Sequence, residues 1–416
     1  MHAIEKILAN GFGLPEVHTG QIANSRVDLA GINDLYLQSV YSFKEMDGVK
    51  VAVPENVYVF LDHYAPASSI QQAQNHKEFR AFCHEQGIEG LIDTHEGVCH
   101  QVVADRGLAA PGKIMVITDS HTTTHGAFGA FGTGVGATDM ATILRTGKLW
   151  FKVPEIMKIT LNGTPKKGVY AKDVILHIIG KLGADYGIYR AVEFAGSYVD
   201  NLSVSERMCL CNMTTEMGAQ TSYIQPDQIT FDYLDQVGAT DYTVYHTDDD
   251  FEYWAKHTYD VSTIEPQVAV PFSVDNVEDI TPNLGVPIEQ AYLGTCTGGR
   301  IEDLAVAAKI LEGKKIHPTC RMLIVPASQQ VLLQAIELGY MTTLVEANAT
   351  FVTPGCASCL GTHQGLLASG EVCISSSNRN FPGRMGHTAG KIYLGSPAAV
   401  AASALEGKIA DPRRYL

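Results

Sequence analysis

The chain has 416 residues, 45% of them hydrophobic and 18% charged, the composition of a folded globular protein with room for two or three domains. A net charge of −15 with no basic stripe argues against nucleic-acid binding, and no apolar run approaches the ~18 residues of a transmembrane helix. Nine cysteines in no even, closely spaced framework, and an amino terminus without signal-peptide character, fit a reducing, cytoplasmic setting and not a secreted disulfide scaffold.

In the first third, Val57–Leu61 and Lys113–Thr118 predict buried strands, and the polar stretch Ser69–Gln86 predicts a helix between them. Such alternation implies an α/β fold with parallel sheets, in which ligands bind beyond the carboxyl ends of the strands. Asp62-His63 follow the first strand and Asp119-Ser120-His121 the second, so both deliver acid and imidazole groups to one sheet edge. Asp119-Ser120-His121 is no hydrolase triad, because adjacent side chains cannot form the relay. His121 and His125 lack the glutamate of an HExxH helix. The run Gly126–Asp139 matches G-x-G-x-x-A at Gly132, Gly134 and Ala137, but no phosphate turn follows the strand directly. Close backbone approach is the expected use of these glycines.

Past Pro154 the pattern changes. Ile156–Leu161 predicts an edge strand closed by an Asn162-Gly163 turn, Ala171–Leu182 predicts a helix, and a further unit carries Asn212 and Glu216. Boundaries near residues 154 and 270 divide the chain into three α/β domains, 1–154, 155–270 and 271–416. The acidic stretch Thr247–Trp254 is expected to be solvated surface without chemistry. In the last third, strands at Gln290–Gly294, Met322–Val325 and Val372–Ile374 alternate with helical patterns from Ile301 to Leu311 and from Gln329 to Leu338.

The loops after these strands hold the most informative residues. Cys296 lies in Gly294-Thr-Cys-Thr-Gly-Gly-Arg300, Cys356 and Cys359 form a CxxC in Thr353–Gly361, and Asn378, Arg379 and Arg384 follow Ser375. Three thiols with no fourth in the pattern suggest a metal centre with one position left open. An iron–sulfur cluster held by three thiolates would leave one iron as a Lewis acid. Zinc with His363 or His387 as fourth ligand, in a non-catalytic binding protein, is the rival reading. A CxxC redox pair leaves Cys296 unexplained. Cys83, Cys99, Cys209, Cys211, Cys320 and Cys373 read as small buried hydrophobes. Beside a cluster, Arg379 and Arg384 suit bidentate recognition of carboxylates.

Seven segments taken in order extend this reading over nearly the full length. They are Leu61-Asp-His63, Gly97-Val-Cys-His-Gln101, Asp119-Ser-His-Thr-Thr-Thr-His-Gly126, Cys211-Asn-Met-Thr-Thr-Glu216, Gly294-Thr-Cys-Thr297, Pro354-Gly-Cys-Ala-Ser-Cys359 and Ser377-Asn-Arg-Asn-Phe-Pro-Gly-Arg384. Together they resemble the aconitase superfamily, in particular its 3-isopropylmalate dehydratase large-subunit and homoaconitase-like branch. The resemblance implies a [4Fe-4S] cluster on Cys296, Cys356 and Cys359, with one iron lacking a cysteine ligand. It implies proton handling by Asp62, His63, His100, Asp119, His121 and Glu216. It implies substrate contacts from Ser120, Asn212, Arg379 and Arg384, with Asn378 beside the cluster. The implied activity is reversible dehydration of a malate-type hydroxy acid, 3-isopropylmalate first, with homocitrate and 2,3-dimethylmalate as alternatives.

Three departures from the family pattern follow. Val27 in Arg26-Val27-Asp28-Leu29 stands where a Gln or His precedes an early Asp, which puts a substrate hydrogen bond in doubt. Gly298 stands where Cys-Thr-Asn is usual. The expected fold is three α/β domains around a central cluster site without the C-terminal swivel domain, whose groups a separate small subunit would supply.

Overall fold

The computed structural model describes residues 1–416, the side chains of Ala357 and Ser358 excepted. Three larger sheets and one two-stranded antiparallel pair, Ile22–Arg26 with Lys148–Lys152, carry the chain. The first is wholly parallel, in the order Gly90–Ile92, Val57–Phe60, Leu29–Asn33, Ile114–Ile117, Phe131–Gly134. The second, also parallel, runs Thr221–Ile224, Arg190–Ala195, Glu155–Asn162, Ala255–Asp260. The third begins with the antiparallel pair Val277–Asp279 and Gln267–Ala269. It continues through Lys391–Gly395, Val372–Ser375, Gln290–Gly294, Arg321–Val325 and Thr350–Phe351.

Local chemistry explains the element ends. Ser69 caps the helix Ile70–Gln86 by accepting from the Gln72 N–H, and Gly87 closes it with φ 70°. Ser203 and Glu206 form a capping box on Val204–Met213, the helix that delivers Asn212. The three sheets share apolar packing: one buried cluster joins Phe60 of the first, Phe194 of the second and Tyr292 of the third. Sheet membership changes between residues 152 and 155 and again between 260 and 267, while that core runs across both places.

One expectation changes. The strand expected at an edge, Glu155–Asn162, lies inside its sheet, and the edge is taken by Ala255–Asp260. That edge strand shows the half-exposed alternation an edge requires, but it follows the acidic stretch and was masked by it. The acidic stretch is solvated as expected, with Asp248, Asp249, Asp250 and Glu252 exposed, and it also makes contacts. Asp248 accepts from the amino terminus at 2.6 Å and pairs with Lys6, while Phe251 and Tyr253 pack on His2. Trp254 stacks under Arg190 at 3.7 Å. The stretch therefore clasps the first helix, Ala3–Phe12, to the second sheet.

The glycine run serves backbone contact. A Cβ at Gly126 would lie 2.2 Å from Ser222 O, one at Gly132 2.4 Å from Thr122 O, and one at Gly134 2.4 Å from Asp119 O. No helix among the described residues is long and apolar enough to cross a membrane.

Candidate active site

The carboxyl ends of the first and third sheets face one another. Cys296 follows Gln290–Gly294, the CxxC follows Thr350–Phe351, and Asn378 and Arg379 follow Val372–Ser375. Asp62 and His63 follow Val57–Phe60, and Asp119 follows Ile114–Ile117. A direct stitch joins the two sets: the Cys356 N–H donates to Asp62 O at 2.8 Å. Val98 N–H to Ala327 O at 2.9 Å and Gln329 N–H to Glu96 O at 2.8 Å hold the same two sheets beside it.

Asp119 is the hub of the acid–imidazole set. His100 Nε2 lies 3.0 Å from its Oδ1, His63 Nε2 3.4 Å from its Oδ2, and the His121 N–H donates to Oδ1 at 2.8 Å. Burial opposes the Asp119 anion, yet His100, His121 and His63 hold its carboxyl well below the usual range. His63 also lies 2.8 Å from Asp62 Oδ1. Burial works against the His63 cation, but Asp62, Asp119 and Asp34 together raise it well above an ordinary imidazole. His121 Nε2 reaches Glu216 Oε1 at 2.8 Å, and Arg379 Nε donates to the same oxygen at 2.8 Å. Arg379 Nη2 then donates to Ser120 Oγ at 3.0 Å. Glu216 is held below its ordinary value against burial by His121 and Arg379.

The thiols are buried and met by donors. Asn212 Nδ2 lies 3.1 Å from Cys296 Sγ, and Asn378 Nδ2 lies 3.5 Å from the same sulfur. Arg384 Nη2 donates to Cys359 Sγ at 3.5 Å, and that thiol in turn donates to Asn378 Oδ1 at 3.7 Å. A hydrogen bond from Cys356 lowers the Cys359 thiol most; burial opposes and Arg384 reinforces it. Burial pushes Cys296 up to about 12, and the Asp119 charge adds to the rise.

This donor set suits a cluster. Two buried polar atoms beside the cysteines, the Tyr292 hydroxyl and Arg384 Nε, have no partner among the described residues. One zinc would hold its sulfurs about 4 Å apart, given Zn–S bonds of ~2.3 Å. The cysteine trio is not among the described triplets whose ligand atoms all lie within 4.8 Å of one another; those are Cys99–His100–Asp119 and Asp34–Asp62–His63. Each rival histidine has one ring nitrogen engaged elsewhere. His363 Nε2 lies 2.8 Å from Pro66 O, and exposed His387 receives the Ala389 N–H at 3.0 Å.

Several site groups escaped the sequence reading. Asp34 accepts the His63 and Tyr64 N–H groups, each at 3.0 Å, and lies 2.9 Å from His76 Nε2, so it shapes the loop carrying His63. Asn33 donates to Asp62 Oδ1 at 3.0 Å. The early acid beside the site is thus Asp34, preceded by Asn33. Val27 lies in the amino-terminal core, and Asp28 accepts the Ile114 N–H there at 2.8 Å. His125, behind His100 at 3.4 Å, is kept neutral by burial and by the neighbouring imidazole. The six cysteines outside the trio are all buried and free.

Gly298 has a steric reason. A Cβ there would lie 2.6 Å from Ser376 Cβ and Oγ, and 2.9 Å from Ser376 O. Ser376 Oγ in turn accepts the Gly294 N–H at 3.0 Å, tying the Cys296 loop at its start. Gly298→Asn should destabilise the fold by ~1–3 kcal/mol through overpacking. A thermal melt superimposable on that of the parent chain would contradict it.

The sequence matches the aconitase family (aconitate hydratase) over residues 20–285 and 278–407. It is 48% identical over 413 residues to the 3-isopropylmalate dehydratase large subunit 1 of Methanopyrus kandleri, covering 99% of both chains. It is 50% identical over 389 residues to the probable methanogen homoaconitase large subunit of Methanosarcina mazei, covering 93% of this chain and 99% of that one. The holo-form aconitase X of Thermococcus kodakaraensis shares the fold with a TM-score of 0.51 at 13% identity, over 91% of this chain and 90% of that one.

Proposed function

The chain belongs to the aconitase family, and from that premise we propose that it is the cluster-binding large subunit of a two-chain hydro-lyase interconverting 2- and 3-isopropylmalate through the alkene. The observation that carries the reading is the stitch from Cys356 to Asp62 at facing sheet ends, with His63 lying between Asp62 and the Asp119 hub. Cys296, Cys356 and Cys359 would hold a [4Fe-4S] cluster. When bound, the cluster supplies Lewis acidity toward the substrate hydroxyl and an adjacent carboxylate.

The chain's own groups divide the remaining work. Trans-elimination needs a base for the carbon-bound proton and an acid for the departing hydroxide. His100, anchored on Asp119, and His63, lying between Asp62 and Asp119, are the groups suited to handling the hydroxyl and water protons. Glu216 takes the same part at the far side, through His121. Arg379 lies between Glu216 and Ser120 and is suited to a substrate carboxylate, as is Arg384 beside Cys359. The base for the carbon-bound proton would come from a separate small subunit, in keeping with relatives that are named large subunits. Nine free thiols suit a reducing, cytoplasmic setting.

Substrate choice follows the commoner name among the relatives, 3-isopropylmalate dehydratase, with homoaconitase the alternative. The deciding experiment combines the cluster-loaded chain with its small subunit and measures kcat/KM for 3-isopropylmalate and for a homocitrate-type tricarboxylic acid. Preference for the former supports the reading, and preference for the latter replaces it with homoaconitase. In the same assay Arg379→Lys should lose ~10–100-fold in kcat/KM, because a point charge cannot reproduce the guanidinium fork. Unchanged kinetics would remove Arg379 from the substrate site.

A further inference from the structure

Lys172 is the one lysine buried among the described residues, at 2% exposure. Its Nζ donates to Thr297 Oγ1 at 2.7 Å, Ser377 O at 2.6 Å and Ser376 O at 3.1 Å. Thr297 follows Cys296 directly, and Ser377 precedes Asn378. One ammonium therefore ties the first cysteine loop to the loop that carries Asn378 and Arg379.

The partners are all neutral. No carboxylate forms an ion pair with Lys172 among the described residues, although an unpaired buried charge costs several kcal/mol. The residue also sits in the first turn of the helix Ala171–Leu182, where the helix dipole disfavours a cation. The anionic groups that bear on it are Cys209, Cys296, Cys359 and Asp303. Burial works against the ammonium and these groups oppose that effect; two of them, Cys296 and Cys359, belong to the trio. Three thiolates outweigh the dipositive core of an oxidised cluster by one negative charge.

We propose that Lys172 is the fixed counter-charge of the cluster and the clamp that sets its two loops, a positioning residue acting through Thr297, Ser376 and Ser377. The proposal rests on the cluster reading above. A clamp alone needs only donors, which a neutral amide provides; a counter-charge needs the cation.

The experiment compares Lys172→Gln and Lys172→Arg with the parent chain, each reconstituted anaerobically with iron and sulfide. The readouts are the EPR-monitored reduction potential of the cluster and the rate at which a chelator removes iron. Lys172→Gln should release iron ~10-fold faster, and its cluster should be ~10-fold harder to reduce, a fall of ~59 mV for one electron. Lys172→Arg should keep the parent potential. A glutamine variant equal to the parent in both readouts overturns the proposal, as does an arginine variant shifted as far as the glutamine one. If the variants do not fold, ¹⁵N-lysine labelling of the parent chain decides. The single solvent-protected ammonium signal should move on cluster assembly, and a stationary signal counts against the counter-charge. A parent chain that assembles no cluster at all fails the underlying reading instead.

Discussion

Cys359→Ser removes essentially all hydro-lyase activity, by at least ~10³-fold, beyond the ~10–100-fold typical of changes one layer out from a metal. Cys359 is the sulfur with the most charge-stabilising surroundings, having Cys356 and Arg384 around it. A hydroxyl in its place is a poor thiolate substitute and leaves the Arg384 guanidinium facing a neutral oxygen. The fold should nonetheless survive. Cys359 is one small member of the buried cluster that joins the sheets, whose bulk is supplied by Phe60, Phe194, Tyr292 and their neighbours, and serine is close to cysteine in size. The variant should therefore show parent-like secondary structure with iron and sulfide lost. A variant retaining turnover, or one that unfolds outright, would contradict this and favour a structural metal.

The second large effect is at Asp119. Replacement by Asn keeps the shape but removes the charge that meets His63, His100 and His121. Loss of organised acid–base groups costs ~10²–10⁴-fold, here in kcat, with cluster content unchanged. A single-turnover measurement on the reconstituted variant checks this; near-parent turnover would remove Asp119 from the hub role. Stability should respond to pH in a defined direction. Asp62, Asp119 and Glu216 are all depressed in the folded chain, so their contribution is full above the unfolded carboxylate range near ~4. It is lost as pH falls through the depressed folded values. His63 is raised, so its contribution is full below an unfolded imidazole value of ~6.5 and is lost as pH climbs through the raised one. Asp119→Asn should therefore flatten the acid side of the stability profile.

Much of this was legible in the chain because strand periodicity and loop chemistry coincide. Asp62-His63, Asp119 and Cys296 each follow an apolar run directly, so placing the strand placed the side chain. Lys172 was hidden for the opposite reason. It sits in an amphipathic helical pattern where a lysine reads as exposed, and only the fold brings Thr297, Ser376 and Ser377 to its ammonium. Asp34 and His76 were missed because Asp34 stands 29 residues before the His63 it supports and 42 before the His76 that meets it. The mistaken edge strand had a related cause. Strand order depends on which partner arrives later in the chain, and Ala255–Asp260 carries little apolar signal of its own.

The most direct test is anaerobic reconstitution of the full chain, followed by iron and sulfide analysis and EPR. The account predicts about four irons and four sulfides per chain, one iron being labile, with all of them lost in Cys359→Ser. One tightly held zinc with no sulfide would contradict it and leave the cysteine trio as scaffold.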